Sequence, residues 1–113
     1  FTFVTDTVEA FVRMGSHDAA LGQEINAGSG STISIGELAA RVLALVGREL
    51  PIICEDERLR PAQSEVMHLH AAAEKARALI GWQPQVSLDE GLRRTIDWIG
   101  DHLDLYRPGK YEV

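Results

Sequence analysis

The residues best suited to chemistry stand together in one charged stretch, Asp56-Glu57-Arg58-Leu59-Arg60-Pro61-Ala62-Gln63-Ser64-Glu65-Val66. Pro61 has no N–H to give to a ladder and pushes Arg60 out of the helical region, so the stretch reads as a loop with an extended arginine near its centre. Arg58 and Arg60 are two residues apart, the spacing that puts both guanidinium groups on one side of an extended segment. A planar guanidinium suits paired phosphate oxygens, while the carboxylates of Glu57 and Glu65 accept from hydroxyl groups. Binding a phosphorylated, hydroxyl-bearing ligand is the chemistry on offer. The alternative is a solvated cluster of surface ion pairs that binds nothing.

The elements on either side position this stretch. Residues 50–54, Leu-Pro-Ile-Ile-Cys, are short, apolar and β-branched, which predicts a strand with Pro51 at its first position. That strand delivers the chain into the charged loop at its C-terminal end, where open α/β sheets place ligands. Before it, Ser34 and Glu37 have capping-box spacing and open a helix over residues 35–46 that ends at Gly47 and buries Leu38, Val42, Leu45 and Val46. After it, residues 66–70 alternate as a short strand carrying His68 and His70 on one face. Zinc could use that spacing, but no further Cys or His completes a tetrahedral set, and two surface histidines are the plain account.

The remainder reads as scaffold. Residues 1–4, Phe-Thr-Phe-Val, have strand character, and Asp6 with Glu9 has the spacing of a cap for a helix over residues 7–14. Val8, Phe11 and Val12 form its apolar stripe, expected in the core, and Gly15 its stop. Residues 23–27 are a further strand candidate, closed by the turn Gly28-Ser29-Gly30-Ser31. This turn has neither the three-glycine dinucleotide fingerprint nor the Walker lysine, which favours plain turn chemistry over a phosphate cradle. Residues 71–80 are rich in alanine and predict a helix ended by Gly81, with Trp82 packed back upon it. Ser87 and Glu90 make a third capping box for a helix over residues 88–103. Its apolar side is Leu92, Ile96, Ile99 and Leu103, and Asp89–Arg93 and Arg93–Asp97 are candidate i,i+4 ion pairs. The tail 106–113 contains Pro108 and Gly109 and has no periodicity.

The bulk properties bound the function. A chain of 113 residues is one domain or part of one, able to bury roughly 60 to 70% of its unfolded surface. Eleven Lys and Arg against 17 Asp and Glu give a net charge of −6, which argues against a nucleic-acid partner. No apolar run approaches the roughly 20 residues of a membrane span. The single Cys54 excludes an intrachain disulfide and fits a reducing compartment, with the cytoplasm as the expected location. A start at Phe1 without methionine or polar lead-in suggests an interior piece of a longer protein.

Taken in order, these pieces resemble the C-terminal part of the extended short-chain dehydrogenase/reductase family, in particular its NAD-dependent nucleotide-sugar epimerases and 4,6-dehydratases. Residues 1–6 are similar to the family's Arg-Asp-Phe/Tyr-x-x-Val-x-Asp segment without its first two residues. Ile25-Asn26-Ala27-Gly28-Ser29-Gly30 is similar to its Asn-x-Gly-Ser/Thr-Gly strand and turn, and Ser34-Ile35-Gly36-Glu37-Leu38 to the helix that follows. Arg60-Pro61 matches its Arg-Pro substrate loop. Lys75-Ala76, Leu79-Ile80-Gly81-Trp82-Gln83-Pro84 and Ser87-Leu88-Asp89-Glu90-Gly91-Leu92 match its C-terminal helices. The fuller string 56–66 resembles the 4,6-dehydratases of the legionaminic-acid type. One departure stands out: Ala72-Ala73 replaces the Asp-Asn/Thr/Ser pair that opens the penultimate helix in relatives.

The resemblance implies an α/β substrate-binding portion with about four helices and three or four short strands, lacking the Rossmann core. It implies Arg60 on the substrate diphosphate, flanked by Arg58, and Glu65 on the ribose hydroxyls, beside Ser64. NAD belongs to the full-length enzymes, whose glycine-rich loop and Tyr-x-x-x-Lys pair lie in the Rossmann part, so this chain is expected to bind no cofactor alone and to hold no catalytic residue. The expected partners are a nucleotide sugar and the N-terminal Rossmann domain. A stand-alone interaction module, associating as a homodimer, is the alternative.

Overall fold

The computed structural model describes residues 1–53 and 70–106. Helix α1 (Val4–Ser16) leads through a 3-10 turn (Asp18–Ala20) and an extended stretch to α2 (Ile35–Val46). Helix α3 (Glu74–Ile80), α4 (Leu88–Asp101) and a closing 3-10 turn (Leu103–Leu105) follow.

Among the described residues there is no strand, which corrects the α/β expectation. Residues 1–3, 23–27 and 50–53 carry no regular structure and Val4 already belongs to α1; a strand needs a ladder partner, and among the described residues these segments have none. Residue 54, the end of the third strand reading, and residues 66–69 of the fourth lie outside the described residues.

Helix α1 begins earlier than expected and turns a different face inward. Its N-cap is Phe3, with extended φ −69° and ψ 149° and no side-chain cap. Asp6 is no cap at all: it is inside the helix and buried, 5% exposed. The amides of Gln85 and Val86 donate to its two carboxylate oxygens at 3.1 and 3.0 Å, which fixes the turn after α3 against the first turn of α1. Glu9, expected to complete the box, pairs instead with Arg13 at 2.6 Å. Gly15 does not stop the helix, which runs on through Ser16.

The inward face of α1 is therefore the Asp6–Ala10–Met14 row, at i, i+4 and i+8. The stripe expected in the core points outward, with Val8 54%, Phe11 68% and Val12 59% exposed. Two stripes competed for the interior. The one carrying a hydrogen-bonded carboxylate and a small Ala10 won, because it lets α3 approach closely while leaving no buried polar group unpaired.

Among the described residues four side chains form the buried core: Ala10, Ala76, Ile80 and Trp82. Trp82 packs against the helix just ended, as the sequence predicts, and its indole N–H donates to the Asp6 carbonyl at 2.9 Å. The Arg13 guanidinium donates to the Gly81 carbonyl at 2.9 Å, placing a cation at the carbonyl end of α3. Helix α3 starts at Glu74 rather than residue 71; its N-cap, Ala73, has no side chain to cap with.

The second half of the fold is held more locally. Ser34 and Glu37 form the complete capping box of α2, and Gly47 ends it in the left-handed region at φ 68°. Ser87 accepts from the Glu90 amide at 3.3 Å, but the Glu90 carboxylate turns to Arg94 at 2.8 Å instead of back to the cap. Asp89 does not pair with Arg93; it reaches across to Arg41 of α2 at 2.9 Å, while Arg93 lies 3.8 Å from Glu90. Helix α4 ends at Asp101, so Leu103 falls in the 3-10 turn and is exposed.

Candidate functional site

The N-terminal segment, the 28–31 turn, the start of α2 and the first turns of α4 enclose a cavity of about 690 Å³. Its size falls within the roughly 300 to 1,000 Å³ usual for small-molecule sites. Phe1 and Phe3 supply aromatic wall, Ile33, Leu38 and Leu92 aliphatic wall, and Ser29 and Ser31 a hydroxyl edge. Among the described residues no lining side chain is charged.

Each wall has a local cause. Phe3 lies against Gly91, where an added Cβ would sit 3.1 Å from the Phe3 ring, so a larger residue there would push the ring by a few tenths of an ångström. Arg94 stands over the other part of that ring at 5.6 Å, a cation–π contact that keeps Phe3 in place. The serine edge depends on Gly30, at φ +68°, a conformation that strains any residue with a Cβ.

Electrostatics near the cavity is mild. At the start of α2 the Ser34 backbone N–H and hydroxyl both donate to one Glu37 carboxylate oxygen, at 2.9 and 2.8 Å. These hydrogen bonds, with Arg41 one turn on, hold the Glu37 carboxyl below the ordinary glutamate value.

The residues expected to bind substrate, Arg58, Arg60, Ser64 and Glu65, lie outside the described residues, as do His68 and Cys54. His70 is described; its Nε2 lies 2.9 Å from the Gly30 carbonyl oxygen, so the surface histidine of the sequence reading has a specific partner. Among the described residues no group of His, Cys, Asp or Glu could hold a metal ion. The cavity itself was not legible beforehand. Its one sequence signal is the Gly-Ser-Gly-Ser turn, read as punctuation.

The described residues do not fit NAD. A dinucleotide cradle needs a glycine turn running straight into a helix N-terminus, but here four residues separate Gly30 from α2, and the Glu37 N–H of its first turn is engaged by the Ser34 cap. The tail does contain a Tyr-x-x-x-Lys spacing, Tyr106 to Lys110, although the family's catalytic pair is expected in the Rossmann part. Tyr106 is exposed, lies past the last 3-10 turn and presents an edge to Trp98, and Lys110 is outside the described residues. Pro108 stands between them, where continued helix would be needed to bring i and i+4 onto one face.

The described residues form a small helical unit with a cavity partly lined by aromatic side chains. The family model for GDP-mannose 4,6 dehydratase matches residues 1–95, and the chain belongs to this family of NAD-dependent nucleotide-sugar epimerases and dehydratases. It is 36% identical over 98 residues to the UDP-glucose 4-epimerase of Mycolicibacterium smegmatis, a match covering 87% of this chain and 30% of that protein. It is 30% identical over 104 residues to the GDP-mannose 3,5-epimerase of Arabidopsis thaliana, covering 92% of this chain and 26% of that one. Among solved structures, the epimerase Mth375 of Methanothermobacter thermautotrophicus superposes with a TM-score of 0.82 at 34% identity, over 92% of this chain and 30% of that one. The chain thus spans about 30% of the length of the relatives it matches. No helix among the described residues is long and apolar enough to cross a membrane.

Proposed function

We propose that the chain forms the nucleotide-sugar-binding part of an NAD-dependent 4,6-dehydratase or epimerase. The observation that carries this reading is the family match over residues 1–95, which contains the whole string 56–66. In this reading Arg60, flanked by Arg58, holds the substrate diphosphate, Glu65 accepts from the ribose hydroxyls and Ser64 stands beside it. An uncharged cavity complements that assignment, since it suits the neutral portion of a nucleotide while the diphosphate charge is met by the arginines. NAD and the catalytic pair are supplied by a Rossmann portion, and this chain alone performs no chemistry. The legionaminic-acid type of dehydratase, suggested by the fuller string, and a cytoplasmic location, suggested by the lone Cys54, are the finer forms of the proposal.

Calorimetric titration with UDP, GDP and CDP tests it. Saturable binding of one nucleotide, weakened at least about tenfold in Arg60→Ala, is expected from loss of a charge-assisted bidentate contact. Absence of binding by all three, or an unaffected Arg60→Ala, overturns the substrate role.

A second reading is favoured by one observation, the outward apolar face of α1. Val4, Val8, Phe11 and Val12 are all more than half exposed, and Phe1 lies beside them in sequence with 64% exposure. A face of this kind is usually covered, by the Rossmann portion or by a second copy in a stand-alone module. Light scattering across a concentration series distinguishes them: a mass that doubles with concentration supports the homodimer, and a constant monomer mass removes it.

A further inference from the structure

We infer that His70 is a positioning residue for the cavity: it clamps the 28–31 turn so that the Ser29 and Ser31 hydroxyls stand in the wall as recognition elements for the uncharged nucleoside end of the ligand. The inference rests on the nucleotide-sugar reading and adds to it residues that the charged loop does not contain.

The clamp has two points, on the adjacent residues His70 and Ala71 of one segment and on Gly30 and Gly28, two apart, of the other. His70 Nε2 donates to the Gly30 carbonyl at 2.9 Å, joining positions 40 apart in the chain. Next to it Gly28 is buried against Ala71 so closely that a Cβ at Gly28 would collide with the Ala71 methyl. The carbonyl that His70 engages belongs to the residue between the two serines, and that residue is the one at φ +68°. A carbonyl oxygen has no proton to give, so the bond requires the proton on Nε2.

The serines it holds form a unit. Their hydroxyl oxygens are 3.2 Å apart, and Ser29 Oγ also lies 3.5 Å from the Ser31 carbonyl. When one hydroxyl donates to the other, the pair still presents a free donor and acceptor lone pairs side by side. Beside two phenylalanine rings and with no charged side chain among the described lining residues, that combination suits a heterocycle with a donor and acceptor on its edge.

The test uses the full chain with UDP, GDP and inorganic pyrophosphate as probes, and amide hydrogen exchange of residues 28–31. His70→Ala is expected to speed exchange in the turn and to weaken the preferred nucleoside diphosphate about two- to tenfold, the range of one neutral hydrogen bond, while pyrophosphate affinity stays unchanged. His70→Gln, whose side-chain amide can donate to the same carbonyl, restores both readouts. Ser29→Ala with Ser31→Ala reproduces the affinity loss without the faster exchange. Unchanged nucleotide affinity in His70→Ala, an equal loss for pyrophosphate, or failure of Gln to restore binding overturns the inference. If the wild type binds none of the probes, the nucleotide-sugar reading has failed and the recognition role of the serines falls with it; the exchange rates of His70→Ala then decide the clamp by themselves, acceleration sustaining it and wild-type rates overturning it.

Discussion

The corner where α1 meets α3 and the region where α2 meets α4 are built on different principles. The first concentrates every fully buried apolar side chain of the described residues, and at its centre is a charged one: Asp6 takes two backbone N–H groups from the Pro84–Ser87 turn while its own carbonyl takes the Trp82 indole. The second contains no fully buried apolar side chain; it is defined by a capping box, a left-handed glycine and an exposed cross-helix ion pair. Long-range burial organises one, local backbone chemistry the other. The cavity lies on the second side, roofed by residues that the Asp6 hub holds in place.

Substitutions should grade accordingly. Removing the hub is expected to cost most: Asp6→Ala leaves two part-buried amides without partners, at about 1 to 3 kcal/mol each before relaxation, and should lower the melting temperature more than any other change proposed here. Trp82→Phe keeps most of the apolar burial but loses the indole donor, leaving the Asp6 carbonyl unpaired on that side, for about 1 to 2 kcal/mol by denaturant titration. An equal or larger loss from Ser34→Ala than from Trp82→Phe would break the contrast, since the α2 cap should be worth about 1 kcal/mol.

At the small end stand the surface charges. A double-mutant cycle on Arg41 and Asp89, both about half exposed, should return less than about 1 kcal/mol of coupling. Acid sharpens the same point. Because the Ser34 hydrogen bonds lower the folded-state pKa of Glu37, its contribution to stability is complete above the ordinary value of 4.5 and lost as pH falls through the lowered one. Melting curves from pH 7 downward should therefore show wild type losing a small advantage over Glu37→Gln as acid is added. Phe11→Ser, on the outward face of α1, should leave the unfolding free energy of the monomer within about 0.5 kcal/mol of wild type.

The sequence determined what depends on neighbours a few residues apart. The Ser34–Glu37 box and the helix ends at Gly47 and Gly81 follow from caps and breakers that act within one turn, whereas the start of α3 fell at Glu74 and not at residue 71. The ordered family motifs were legible too, as is the string of charged residues from which the substrate role is proposed. Tertiary structure decided what depends on distant partners. Helix α1 carries two plausible inward stripes, and nothing local says that Asp6 will serve amides 79 and 80 positions away rather than cap its own helix. Nor could the extended segments be told from strands, since a ladder is made by a partner and not by the segment. The clamp between His70 and Gly30, and the cavity that Ser29 and Ser31 border, arise in the same way: each joins parts of the chain whose spacing carries no signal, and only packing brings them within hydrogen-bond reach.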